Sequence, residues 1–307
     1  MSDLLAGIGL CKQQRCLQNA PIRSLIRPVE KDLGGFSVRR LMPSDQLRSV
    51  GPFIFFDHIG PARFPQGAEI DVRPHPHIGL ATITYLFDGR ILHRDNLGNV
   101  QAIKPATINW MTAGKGIVHS ERTPPEERDT EHSTHGLQLW IALPQEQEET
   151  EPDFIHYEAD RFIRQEMGKA TVRVLIGDAY GIRSPVRTFS PTLYVEASLE
   201  KGAAIVLPQG SEERAVYVVS GSVQVQGATI DEHSLAVFDQ SPLIKLTAEQ
   251  ETRLVIIGGQ PLGKRIVWWN LVASRRELID KAKASWKEGR YPKIPGETEF
   301  IPLPENR

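Results

Sequence analysis

Cysteine is scarce in this chain of 307 residues, with only Cys11 and Cys16 present. Without a second pair of ligands, these two thiols build neither a disulfide framework nor a thiolate metal site. They are expected to stay free and partly exposed, as a reducing compartment allows. Excess charge is also missing: the formal net charge is -2, which removes the electrostatic ground for a direct nucleic-acid partner. Long apolar runs are absent, and no window approaches the roughly 18 consecutive apolar residues of a membrane helix. The apolar stretch from Leu4 to Leu10 is short and follows Asp3, where a secretion signal carries positive charge. Bulky Leu10 before Cys11 does not suit lipid attachment. A cytoplasmic protein with no membrane partner is the expectation.

Helix signals are sparse as well, and what is present is strand. Hydrophobic content of 40% and charged content of 24% are those of an ordinary globular chain with material for one or two domains. Alternating or two-faced apolar runs occur at Phe36–Leu41, Phe53–His58, Ala81–Phe87, Ala106–Met111 and Leu137–Leu143. Turn residues separate them, notably Asp88-Gly89 and Asn96-Leu97-Gly98-Asn99. The rhythm restarts at Thr192–Leu199 and continues through Ala203–Leu207, Ala215–Val219, Val223–Val225, Ser234–Phe238 and Thr252–Ile257. Short strands at regular spacing predict an all-β chain of two β-barrel or jelly-roll units, the second an internal duplication of the first. The predicted divisions are a lead-in at 1–34, barrels at 35–144 and 145–265, and a helix with its tail at 266–307. No strand is assigned between Ala20 and Glu30, where Pro21 and Pro28 interrupt. The acidic run Gln145–Glu151 reads as a solvated crossing between units. Ser274-Arg275-Arg276-Glu277 reads as a capping box opening a helix whose apolar stripe is Leu278, Ala282 and Trp286, stopped by Gly289.

The chemistry concentrates between Asp71 and Glu121. In an extended strand, residues two apart share a face, so His75 projects with His77 and His119 with Glu121. Two such pairs side by side in one barrel bring three imidazoles and a carboxylate together. That donor set suits a borderline divalent ion such as iron, nickel, copper or zinc. Pro74 and Pro76 hold the first pair extended, and Gly114 and Gly116 permit a sharp bend before the second. Phe53, Phe55, Trp110 and Met111 are candidates to line the pocket, or else barrel core. His58 is a candidate to orient a ligand or to be structural. His93 and His135 read as packing or hydrogen-bonding residues, while His132 and His156 carry no signal. Lys115 reads as solvated. The second half offers His233 alone and cannot rebuild the site.

The blocks His75-Pro76-His77-Ile78-Gly79 with Thr84-Tyr85-Leu86, Asn109–Glu121 and His135-Gly136-Leu137-Gln138-Leu139-Trp140 resemble the pirin family of double cupins. The resemblance is close from about Gly35 to Pro144 and weaker through the second half. It implies a bicupin with iron, as Fe(2+), held by His75, His77, His119 and Glu121, with nickel, copper, zinc or manganese as other divalent choices. Many pirins carry glutamate where this chain has Ala81, so a carboxylate must come from Glu121. Some pirins are similar to quercetin 2,3-dioxygenase, which implies an oxidoreductase opening a flavonol, with Glu121 as catalytic proton acceptor. Eukaryotic members imply the alternative: an iron-bound, redox-responsive regulator acting on a protein partner.

Overall fold

The computed structural model describes residues 20–33, 35–240 and 243–305. From the amino end come β1 (Ile22–Ile26), β2 (Val29–Asp32), β3 (Ser37–Met42) and β4 (Phe53–Phe64). The histidine-bearing region supplies β5 (Asp71–His77), β6 (Leu80–Gly89), β7 (Ile91–Asp95), β8 (Val100–Ile103), β9 (Ile108–Thr112) and β10 (Ile117–Arg122). After the single turn α1 (Pro125–Arg128) come β11 (His132–Ala142) and β12 (Asp153–Tyr157). Next are β13 (Arg164–Met167), β14 (Ala170–Ile176), β15 (Asp178–Ala179), β16 (Ile182–Arg183), β17 (Thr192–Leu199) and β18 (Ala204–Val206). Then β19 (Glu213–Ser220), β20 (Ser222–Val225), β21 (Ala228–Asp231), β22 (Leu235–Phe238), β23 (Lys245–Ala248) and β24 (Thr252–Gly259) follow. The chain closes with β25 (Ile266–Trp268), β26 (Leu271–Ala273) and α2 (Arg276–Lys287).

Two compact units repeat one plan, the doubled barrel of a bicupin. In the histidine-bearing unit, a seven-stranded sheet ordered β12-β9-β6-β11-β4-β3-β2 accompanies a four-stranded sheet ordered β5-β10-β7-β8. Inward residues of the larger sheet, Val38, Ile59 and Leu86, meet Ile91 and Ile103 of the smaller. Burying each such side chain is worth about 1.5–3 kcal/mol. The other unit pairs the sheet β1-β22-β19-β24-β17-β14-β13 with β18-β23-β20-β21. Its core sets Val174, Val195, Val216 and Leu254 against Ile205, Val223, Ile230 and Leu246.

The contacts divide the chain elsewhere than the expected limits near 34, 144 and 265. One unit comprises Val29–Pro43, Phe53–Arg161 and Leu262–Arg307; the other takes the described residues through Pro28, Ser44–Pro52 and Phe162–Pro261. The lead-in contains two strands. β1 pairs with β22 and β2 with β3, and Pro21 and Pro28 bracket β1 rather than interrupt it. β1 is an edge strand, where flanking prolines cost the ladder nothing. The acidic run is largely solvated, with Gln145, Glu146, Gln147, Glu149 and Glu151 exposed, but it is not the crossing between units. β12 extends the first unit's larger sheet against β9, and Glu148 is buried in an ion pair with Arg265 at 3.0 Å.

The helix also departs from expectation. Arg275, not Ser274, is the N-cap, and no side chain caps the helix start. The Ser274 hydroxyl donates instead to the Glu148 carboxylate at 2.7 Å, a charge-assisted hydrogen bond. Ile279 and Ala282 form the buried stripe, packed with Ile78, Leu271 and Ala273. Leu278 and Trp286 are half-buried, and Gly289 takes a positive φ of 66° after the last turn. Cys11 and Cys16 lie outside the described residues. No helix among those residues is long and apolar enough to cross a membrane.

Candidate metal centre

β5 and β10 run antiparallel with His119 directly opposite His75 and Ile117 opposite His77. Inward alternation then puts three imidazoles together. Their rings lie 4.4–5.0 Å apart by centroid, and one nitrogen from each falls within 4.8 Å of the others. β5 is the edge of its sheet, which is why Pro74 and Pro76 are tolerated inside a strand.

Each ring is held through its far nitrogen. His75 Nδ1–H donates to the Arg73 carbonyl at 2.9 Å, and His77 Nδ1–H to the Asn270 carbonyl at 3.1 Å. His119 Nδ1 stands 3.4 Å from His93 Nδ1, and His93 Nε2 stands 3.1 Å from Asp95 Oδ2. Asp95 is fixed in turn by the backbone amides of Leu97 and Asn99. The partners assign the tautomers: His93 donates to the carboxylate, and His119 Nδ1–H donates to His93. Burial lifts the Asp95 carboxyl, but the hydrogen bonds from His93 and Asn99 outweigh it and leave the group below its ordinary value. His75, His77 and His119 therefore each keep an Nε2 lone pair for the centre of the cluster, the arrangement that orients metal-binding histidines elsewhere.

The donor set fits a metal ion on two observations. His119 Nε2 is buried and has no hydrogen-bond partner, a costly state for a polar nitrogen unless something ligates it. Burial pushes His77 and His119 well below the ordinary histidine value, with the neighbouring His75 next in weight. Burial lowers His75 as well. Neutral rings at pH 7 are the form that binds metal.

Glu121 stands apart from this triad. Between the His119–His75 pair and the Glu121–Val72 pair, β5 carries one more residue than β10, and such a bulge re-aims the side chains that follow. The Glu121 carboxylate takes Gln138 Nε2 on both oxygens (3.1 and 2.9 Å) and Thr84 Oγ1 at 3.1 Å. It lines the same cavity as His75 and His77, and its charge acts on His75. Three of the four expected ligands are thus brought together, with the fourth at their side.

The cavity holds about 440 Å3. Of the aromatic residues expected to line it, Phe55 does so; Phe53, Trp110 and Met111 are buried in the barrel core. Trp140 lines the wall beside Phe55, stacked 3.9 Å from it at 10° and edge-on to His77. Arg40 lies 4.5 Å over the Phe55 ring and grips Asp57 through two hydrogen bonds of 2.8 and 2.7 Å. Burial raises the Asp57 carboxyl, and the Arg40 hydrogen bond and charge oppose that rise in part. Trp269 and Asn270, the two residues between β25 and β26, complete the rim with Ile301. Ala81 is fully buried in β6 opposite Ile141 and Thr112 and is no part of the lining.

His58 pairs with His135 at 2.8 Å, and Lys115 pairs with Glu151 at the surface. His93 is a hydrogen-bonding residue, as expected, but its partner is a candidate ligand. The sequence reading gave no site role to Asp95, Trp269, Asn270 and Ile301, nor to Thr84, Gln138 and Trp140, which it held only as part of the family blocks. Trp269, Asn270 and Ile301 come from far along the chain, and the other four come from neighbouring strands, where pairing rather than spacing brings them to the site. The second unit, on its described residues, gathers no comparable cluster.

A family model described as Pirin matches residues 35–141, and one described as the pirin C-terminal cupin domain matches 194–292. A pirin-like protein of Caulobacter vibrioides is 46% identical over 282 residues, spanning 90% of this chain and 96% of that protein. Rattus norvegicus pirin is 33% identical over 266 residues, spanning 83% and 88%. A crystal structure of quercetin 2,3-dioxygenase from Acinetobacter baumannii matches with a TM-score of 0.85 at 33% identity, covering 92% of this chain and 95% of that one. With both cupin domains matched and the histidine triad assembled in the first, the chain belongs to the pirin family.

Proposed function

We propose that the protein is a metal-dependent dioxygenase that opens flavonols such as quercetin, with Fe(2+) as its metal. The observation that carries this reading is the orphaned, buried Nε2 of His119 within a neutral histidine triad, beside a carboxylate and an aromatic-walled cavity. The likeness to a quercetin 2,3-dioxygenase at 33% identity supports it. His75, His77 and His119 would hold the ion, with Glu121 within reach as a further oxygen donor. A redox-active divalent ion there supplies Lewis acidity toward adjacent oxygens and a partner for dioxygen.

The remaining work falls to the chain. Phe55 and Trp140 form the aromatic part of the wall against which an aromatic ligand packs. Glu121 Oε2 accepts a single hydrogen bond, from Gln138, and keeps a lone pair to take the proton of the substrate's enolic hydroxyl. Gln138 and Thr84 hold that carboxylate in place and make the resulting acid easier to aim. The net reaction adds both atoms of dioxygen to the opened ring and releases carbon monoxide.

The test is anaerobic reconstitution with ferrous iron, addition of quercetin, admission of oxygen, and measurement of flavonol absorbance with carbon monoxide release. Turnover with one carbon monoxide per flavonol is expected. Glu121→Gln should lower the rate by about 10²-fold or more, the scale of a lost positioned base. Full iron loading without flavonol consumption would overturn the reading.

A further inference from the structure

A groove of about 680 Å3 on the outer side of the ligand strands has no part in the metal centre. Strand alternation separates it from the metal centre: Pro74 and Val118 line the groove, while their neighbours His75 and His119 join the triad. Its apolar walls are Trp268, Trp286, Tyr291 and Phe300. Trp286 meets Tyr291 and Phe300 edge-on, at 6.0 and 5.9 Å. The indole N–H of Trp286 is already used on the Ile301 carbonyl at 3.0 Å, so this ring offers the groove apolar surface without an unmet donor. Phe300 remains 58% exposed at the edge, a large apolar group left facing water.

Three lysines and three glutamates, Glu297, Glu299 and Glu305, line the groove. Lys283, Lys287 and Lys293 all line it, and Lys283 Nζ lies 4.3 Å from the Trp268 ring centroid. Two of these carboxylates are committed elsewhere: Glu297 accepts hydrogen bonds from Ser120 and Arg122, and Glu299 from Arg122. Among the described residues, none of the three lysines is paired with a carboxylate. Flat apolar walls with unpaired ammonium groups at the edge complement a flat apolar anion.

We propose that this groove is a second ligand site, distinct from the metal cavity, that takes a planar aromatic carboxylate. The ring system lies among Trp268, Trp286 and Phe300, and the carboxylate meets the lysine ammonium groups. A neutral aromatic of the same shape recovers the ring contacts alone, and inorganic phosphate recovers the charge alone.

Titration calorimetry of the metal-loaded, full-length protein with 2-naphthoate tests this, with naphthalene-2-methanol and inorganic phosphate as comparison ligands. Saturable binding of one 2-naphthoate per chain is expected, at least tenfold tighter than either comparison. Lys283→Gln combined with Lys287→Gln should weaken it at least tenfold, as should Phe300→Ala, with melting temperatures confirming that these variants fold. His77→Ala, which empties the metal centre, should leave the affinity unchanged. Binding lost with His77→Ala yet kept in the lysine variants would place the ligand in the metal cavity and overturn the proposal. No saturation below millimolar concentration, or equal affinity for the alcohol, would overturn it too.

Discussion

At the scale of the residue, the protonation of His77 and His119 has a consequence that can be measured without any metal. Burial holds both folded-state values well below the ordinary 6.5. Above that pH neither the folded nor the unfolded chain protonates these rings, and their effect on stability is nil. As pH falls below about 6.5, the unfolded chain takes up protons that the folded site refuses, so stability is lost. The slope approaches about 1.4 kcal/mol per pH unit for each ring. The melting temperature of metal-free protein should therefore drop from pH 7.5 to pH 5.5, and less steeply in His119→Gln. A slope identical in the variant would show that this ring is not held neutral.

At the scale of the element, the C-terminal hairpin and helix are part of the centre rather than an appendage. The turn between β25 and β26 delivers the Asn270 carbonyl to His77, and Trp269 adopts a positive φ of 52° there. That conformation is costly for a bulky residue and persists only where the surroundings hold it. The buried Ile279 of α2 packs on Leu271 and Ala273 of β26 and so supports that turn. Ile279→Ala should cost about 2–5 kcal/mol, the range for emptying a buried aliphatic site. Leu278→Ala, on the half-exposed side, should cost clearly less. Thermal melting that ranks the two variants in the opposite order would mean that the helix packs by a different face. The sequence showed that a helix begins after Ser274 and stops at Gly289. It could not show that a buried Glu148 would claim the serine hydroxyl, because that carboxylate comes from a segment 126 residues away.

At the scale of the whole molecule, two barrels of one plan divide the labour unequally. The second barrel has a packed apolar core and, of its described histidines, only His233, which sits beside Glu232 in a positive-φ turn. One metal ion per chain is therefore expected by elemental analysis. His77→Ala should remove most of it, and His233→Ala none. Two ions per wild-type chain, or equal loss from both substitutions, would contradict the assignment to the first barrel.

The sequence by itself determined the period-two strands, the repetition of one barrel, and the His75–His77 and His119–Glu121 pairs. Each of these rests on alternation or turn chemistry that acts within a few residues. Tertiary structure alone decided which strand lies beside which, and with it the partners that make the site work. His93 and Asp95 orient His119 because β7 lies next to β10. Gln138 and Thr84 capture Glu121 because β11 and β6 present them to it from the other sheet. The extra residue in β5 then leaves Glu121 beside the triad instead of within it. Such contacts follow from register and packing between distant segments, and no spacing along the chain encodes them.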